Sequence, residues 1–142
     1  MIFEKLCLEA FDERNISKDI HEMNDHIKSL LVNAPPSHEI PFEVLQEIRR
    51  KGGGLLESQP YSEKAENRLI NYDNKKVTIR IFNHDSPNFV YLHIHGGGHC
   101  IGAADMQDQS LEKISNDLNC VVVSVEYRLA PANPYPAAPD DC

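Results

Sequence analysis

The stretch Tyr91-Leu-His-Ile-His-Gly-Gly-Gly-His-Cys-Ile-Gly102 concentrates the chemistry-bearing residues of this chain. It places three histidines, three adjacent glycines and a cysteine within twelve positions. Three chemistries are open to it. His93 and His95 alternate, so on a strand they share a face and could ligate one ion, with His99 and His84 nearby. Gly98-His99-Cys100-Ile101-Gly102 fits a glycine-x-nucleophile-x-glycine turn with cysteine as the nucleophile. Gly96, Gly97 and Gly98 could instead present backbone N–H groups, with no Cβ in the way, to a developing oxyanion.

The spacing separates these readings. A metal site lacks acidic residues or cysteines at matching intervals, Cys100 excepted, and its histidines flank a glycine turn. A nucleophile elbow needs its nucleophile directly after the strand, whereas Gly96 and Gly97 intervene before Cys100. No acid-then-histidine pair follows Cys100 either. The glycine reading needs only a strand that delivers the run to the edge of a sheet. An H-G-G-G run in such a setting forms part of the oxyanion hole of lipases and esterases.

The elements that would position this run are legible in the patterning. From Ser17, a plausible N-cap, apolar residues at Ile20, Met23, Ile27, Leu30 and Leu31 form one helical stripe, closed by Asn33-Ala34-Pro35-Pro36. A shorter helix from Pro41 carries Phe42, Leu45 and Ile48 on one side, with Arg49, Arg50 and Lys51 in its last turn. Gly52-Gly53-Gly54 stops it. Two strand-like runs flank Asp73-Asn74 and predict a β-hairpin. In the second run Val77, Ile79 and Ile81 alternate with Thr78, Arg80 and Phe82. "NFVYLHIH" reads as a third strand, and residues 105–118 as a helix bearing Met106, Leu111, Ile114 and Leu118. "CVVVSVEY" reads as a strand apolar on both faces, typical of a covered parallel sheet. Strand, helix, strand here make one βαβ unit. The tail from Arg128, with four prolines between Pro131 and Pro139, is expected to be an ordered loop rather than an element.

"HGGGHCIG", a helix, and then "VVVSVEYRLAPANPYPAAPDDC" closely resemble the hormone-sensitive-lipase family of α/β-hydrolases. The match is tight over residues 90–142 and looser over 61–89, while residues 1–60 are compatible with the helices that cap that family's active site. The resemblance implies an α/β fold. A helical cap segment, 1–60, precedes the first half of an α/β-hydrolase core, 61–142, made of a β-hairpin and one βαβ unit. It implies hydrolysis of small-molecule carboxylic esters by a Ser-His-Asp triad without cofactor or metal. Gly97 and Gly98 would supply oxyanion-hole N–H groups, His95 would brace the loop and Gly96 would permit its turn. Tyr127 and Arg128, ending the fourth strand, and Asp141, opening the next helix, would be structural. His99 stands where the family has an aromatic residue and Glu126 where it has aspartate.

The nucleophile of that family lies beyond the position of Cys142. None of the nine serines here is flanked as G-x-S-x-G. The expectation is therefore the N-terminal part of an esterase or lipase, without catalytic residues of its own, little active alone, and completed by a missing C-terminal half. The family's strand order would also leave one apolar edge of Val90–Ile94 unpaired. The alternative is a non-catalytic binding or regulatory module derived from such a hydrolase.

Bulk properties exclude other classes. The chain has 142 residues, about one domain, with 41% hydrophobic and 25% charged residues. A net charge of -8 argues against an electrostatic grip on nucleic acid or anionic membrane. No apolar run is long enough for a membrane span, and the N-terminus lacks the apolar core of a signal peptide. Cys7, Cys100, Cys120 and Cys142 show no C-x-x-C pairing, and a cytoplasmic protein with free thiols is expected.

Overall fold

A computed structural model describes residues 12–52, 60–73 and 75–142. Cys7, Gly53, Gly54 and Asn74 lie outside the described residues. The chain divides into two compact units, Met1–Pro36 and Ser37–Cys142.

In the first unit, a single turn of 3-10 helix at Glu13–Asn15 is capped by Asp12, whose carboxylate accepts the Arg14 N–H at 2.9 Å. Helix α1, Lys18–Leu31, starts after Ser17 as the N-cap position predicts, though the serine side chain makes no capping hydrogen bond. Its apolar stripe runs along one face, and none of its residues is buried.

The second unit opens with a 3-10 turn at Ser37–Glu39 and helix α2, Phe42–Arg50. Pro41 sits at the N-cap of α2, where a missing N–H costs nothing, Glu43 faces the positive end of the helix dipole, and Arg49 and Arg50 face the negative end. Gly52, at φ +76°, takes the left-handed conformation that ends a helix.

Strands β1, Glu66–Tyr72, and β2, Lys75–Phe82, form the expected hairpin, in register from Glu66 opposite Ile81 to Tyr72 opposite Lys75. Strand β3, Val90–Ile94, helix α3, Asp108–Leu118, and strand β4, Val121–Glu126, form the βαβ unit. β4 lies parallel to β3, with Val90 opposite Val121 and Ile94 opposite Val125. It is antiparallel to β2, with Thr78 opposite Glu126 and Phe82 opposite Val122. The mixed sheet runs β1-β2-β4-β3 and is an α/β arrangement, as the sequence implies.

The two inner strands are the buried ones. α3 lays Leu111 on one sheet face against Phe82, Val122 and Cys120, with Ile114 and Ala65 at the margin. Val125, Tyr127 and Ala138 form a second cluster with Val77 and Leu129. Among the described residues β3 pairs on one side only, and Val90, Leu92 and Ile94 are exposed. None of the described helices is long and apolar enough to cross a membrane.

Two expectations need correction. α3 begins at Asp108 rather than 105, because residues 103–107 form successive turns and Met106 donates its N–H to the Ala103 carbonyl. The proline-rich tail is not wholly loop. Ala137–Asp141 is a short helix, α4, which Asp141 ends rather than opens. Pro139 is tolerated there because it lies in the first turn, where its absent N–H would have had no helical acceptor.

The polar centre of this unit is an unmarked ion pair. Arg80 on β2 and Asp108 at the start of α3 are 2% and 0% exposed. Arg80 Nε donates to Asp108 Oδ1 at 2.7 Å and its Nη2 binds the other carboxylate oxygen. The remaining guanidinium protons go to Tyr61 Oη, Asn67 Oδ1 and the Ser62 carbonyl, and Tyr61 stacks over the charge at 4.0 Å. Ser62 N–H closes the network on Asp108 at 2.8 Å. A buried charge pair is tolerable only when its hydrogen bonds are met in this way. Because Asp108 also occupies the first turn of α3, its charge favours the helix dipole.

Candidate active site

β3 delivers the chain to the glycine run at the end of the sheet. His95 is the first residue past the strand and is 5% exposed. Its ring stacks on Tyr127, with centroids 4.0 Å apart and planes 10° from parallel. The Tyr127 hydroxyl donates to the His95 carbonyl at 2.6 Å. Tyr127 follows β4, so two adjacent parallel strands end in one interlocked pair of rings. Burial raises the pKa of the Tyr127 phenol, which keeps it a hydrogen-bond donor. His95 Nδ1 lies 2.9 Å from the Gly96 carbonyl, an acceptor, which makes Nδ1 the protonated ring nitrogen. His95 Nε2 is buried and has no partner among the described residues.

Beyond His95 the backbone turns through positive-φ conformations that favour glycine. Gly97 adopts φ +129° and Gly98 φ +60°. A Cβ on Gly97 would collide with the Ile101 carbonyl, whereas one on Gly98 would meet nothing within 4 Å. The turn closes when Cys100 N–H and Ile101 N–H both donate to the Gly97 carbonyl, each at 3.1 Å. His99, at φ +60°, takes a left-handed conformation that costs a side-chain-bearing residue energy. It is held by Ala130 N–H on its carbonyl at 2.9 Å and by its ring tilting onto Tyr127 at 5.8 Å. Among the described residues, the N–H groups of Gly97 and Gly98 have no hydrogen-bond acceptor. A cleft of about 260 Å³ opens beside Gly97, lined by Arg49 of α2, His95, Gly96, Gly97, Ile101 and Gln107.

The other residues singled out in the sequence do not converge here. His93 Nδ1 is 2.9 Å from Ser124 Oγ on β4, and burial lowers its pKa, so it is a neutral ring in a side-chain pair. His84 sits on an exposed loop, where its Nδ1 accepts the Ser86 N–H. Among the described residues no group of three or more His, Cys, Asp or Glu is placed to hold a metal ion. Cys100 lies in the turn, six residues past the end of β3 and eight before α3 begins, and not on the tight strand-to-helix turn that an elbow requires. The described cysteines, Cys100, Cys120 and Cys142, are free.

Four supports of the turn make contacts that the sequence did not indicate. Gly102, at φ +103°, lies close against the start of the loop, and a Cβ there would fall 2.6 Å from both the Gly96 carbonyl and His95 Nδ1. The recurrence of glycine at a fixed distance after the run was its only signal. Tyr127 was read as a strand end, and its stacking on His95 had no local signature. Gln46 of α2 donates to the Cys100 carbonyl at 2.7 Å across 54 residues of sequence. Glu126, in the aspartate position, accepts the Ala104 N–H at 2.6 Å and anchors the segment after the turn. Arg128 and Asp141 are structural in geometry too. The guanidinium forks the carboxylate at 2.8 Å, and the Arg128 N–H adds a third bond at 2.9 Å.

Comparison with known proteins agrees with this geometry. Residues 91–142 match a family described as the alpha/beta hydrolase fold. An arylesterase of Saccharolobus solfataricus is 35% identical over 102 residues, which is 68% of this chain and 33% of that protein. The hormone-sensitive lipase of Mus musculus is 28% identical over 116 residues, 80% of this chain and 15% of the lipase. A solved arylesterase structure superposes with a TM-score of 0.61 at 27% identity, covering 85% of this chain and 40% of that one. The chain thus spans about a third or less of the length of these curated relatives. With its glycine turn, its βαβ unit and these relatives, the chain belongs to the α/β-hydrolases of hormone-sensitive-lipase type.

Proposed function

We propose that His95–Gly98 is the oxyanion-binding half of a carboxylic ester hydrolase site, with the N–H groups of Gly97 and Gly98 as donors. One observation carries the reading. These two adjacent N–H groups are without acceptors among the described residues, on a turn locked by the buried His95–Tyr127 stack. Donors fixed before the reaction need not reorganise as charge develops on the substrate oxygen, and each contributes a few kcal/mol to the transition state. The names of the relatives, an arylesterase and a hormone-sensitive lipase, support an ester as the substrate class.

In this reading the nucleophilic serine, the acid and the base come from polypeptide beyond Cys142, and catalysis needs no metal or cofactor. His95 and Gly96 shape the loop, and the cap role belongs to the helices of residues 1–60. The protein works in the cytoplasm on small esters.

Amide NMR tests the donor assignment on the chain as it stands. Titration with methylphosphonate, a tetrahedral oxyanion, is expected to move the Gly97 and Gly98 amide resonances first. Shifts confined to other residues, such as the basic end of α2, would refute it. Coding sequence downstream of codon 142 that lacks G-x-S-x-G in every frame would remove the serine-hydrolase part of the proposal.

A further inference from the structure

We infer that Gln46 of α2 is a positioning residue for the glycine turn, so that the turn holds its shape only while α2 is docked. The inference rests on reading His95–Gly98 as the oxyanion loop, and it adds a dependence of that loop on the helical segment before the sheet.

The turn from Gly97 to Ile101 is fastened at three places. Inside, two N–H groups converge on the Gly97 carbonyl. On the β4 side, Ala130 N–H holds the His99 carbonyl. On the α2 side, the Gln46 side-chain amide holds the Cys100 carbonyl at 2.7 Å. The adjacent His99 and Cys100 carbonyls are thus held by two different elements of the chain. The strain at His99, a side-chain-bearing residue at positive φ, can persist only if surrounding contacts fix it.

The α2 fastening differs from the others in what stands behind it. Ala130 follows a buried strand and a buried tyrosine. α2 buries none of its residues; Phe42, Val44 and Ile48 are all exposed. A helix anchored so lightly opens locally at low free-energy cost. Each opening withdraws the Gln46 amide from the Cys100 carbonyl and frees the turn to relax. A net hydrogen bond of about 1.4 kcal/mol corresponds to roughly a tenfold change in the opening equilibrium of the turn.

Hydrogen exchange on the whole chain reads this directly, with Cys100 and Ile101 amides reporting on the turn and Val123 and Ser124 amides on the sheet. Gln46→Glu keeps the shape but removes the donor. Gln46→His restores an Nε2–H donor at similar reach. The expected result is roughly tenfold faster exchange at Cys100 and Ile101 in Gln46→Glu. Val123 and Ser124 should be unchanged, with near-wild-type turn protection recovered in Gln46→His. Unchanged turn amides in Gln46→Glu would overturn the inference, as would equal acceleration in turn and sheet. The methylphosphonate titration stands apart. If Gly97 and Gly98 ignore the anion while Gln46 still governs exchange, the donor reading fails and the fastening survives; the reverse pattern fails the fastening alone.

Discussion

The β2 flank and the β3 flank of the same sheet solve opposite problems. At β2 the chain buries a full charge, Arg80, and meets its guanidinium protons with a carboxylate, a phenol, an amide and a carbonyl. At β3 it leaves apolar Val90, Leu92 and Ile94 exposed, and past the strand leaves Gly97 and Gly98 N–H groups without acceptors among the described residues. The first region closes every polar account within itself. The second keeps donors and an edge available, as a site must if its partner is a substrate or more polypeptide. Stability is concentrated where chemistry is absent, and the loop that would do chemistry is shaped by backbone strain and a few hydrogen bonds.

That contrast orders the expected effects of substitution. Asp108→Ala leaves Arg80 charged and buried without its carboxylate, and urea denaturation should show a loss of about 3–5 kcal/mol. Replacing both partners, as Arg80→Met with Asp108→Leu, should recover most of it, since an apolar pair of similar volume is often neutral. At the loop, Gly97→Ala should cost about 1–3 kcal/mol, because the Cβ meets the Ile101 carbonyl at a φ that side chains avoid. Gly98→Ala, facing open space at φ +60°, should cost less, and the ranking in one denaturation series checks it.

Tyr127→Phe removes one hydrogen bond to the buried His95 carbonyl and keeps the ring stack. A loss of about 1 kcal/mol is expected, with a displaced Gly96 amide resonance. Acid sensitivity should be a smaller effect. The hydrogen bonds from Arg128 hold the Asp141 carboxyl below its ordinary range, against the opposing effect of burial. A depressed carboxylate contributes fully above its unfolded pKa and loses that contribution as pH falls through the folded value. Stability measured from about pH 6 to about pH 3 should fall less steeply in Arg128→Ala than in the wild type. The mildest substitution is Val90→Lys on the open edge. Folding stability should stay within about 0.5 kcal/mol while light scattering shows less self-association, since a charged edge blocks strand addition.

What sequence made legible follows from how local each signal is. The hairpin, the βαβ unit and α1 each announce themselves within one window of patterned residues. The H-G-G-G run is visible because a positive-φ turn restricts residue type at consecutive positions. Arg80 was visible as a strand residue, but a period of two assigns a face and says nothing of what waits across it. Tyr127 on His95 and Gln46 on Cys100 join residues 32 and 54 positions apart, where spacing carries no information. α4 was hidden by composition, since the prolines that suggest a loop sit at its start, where a helix accepts them.

The most direct test of the account is the hydrolysis of p-nitrophenyl butyrate, a chromogenic short-chain ester, by the 142-residue chain itself. Oxyanion donors without a nucleophile predict no saturable turnover above the buffer rate, in the wild type and in Cys100→Ala alike. Saturable turnover by the chain alone would contradict the account, and its loss in Cys100→Ala would return catalysis to the cysteine beside the glycines.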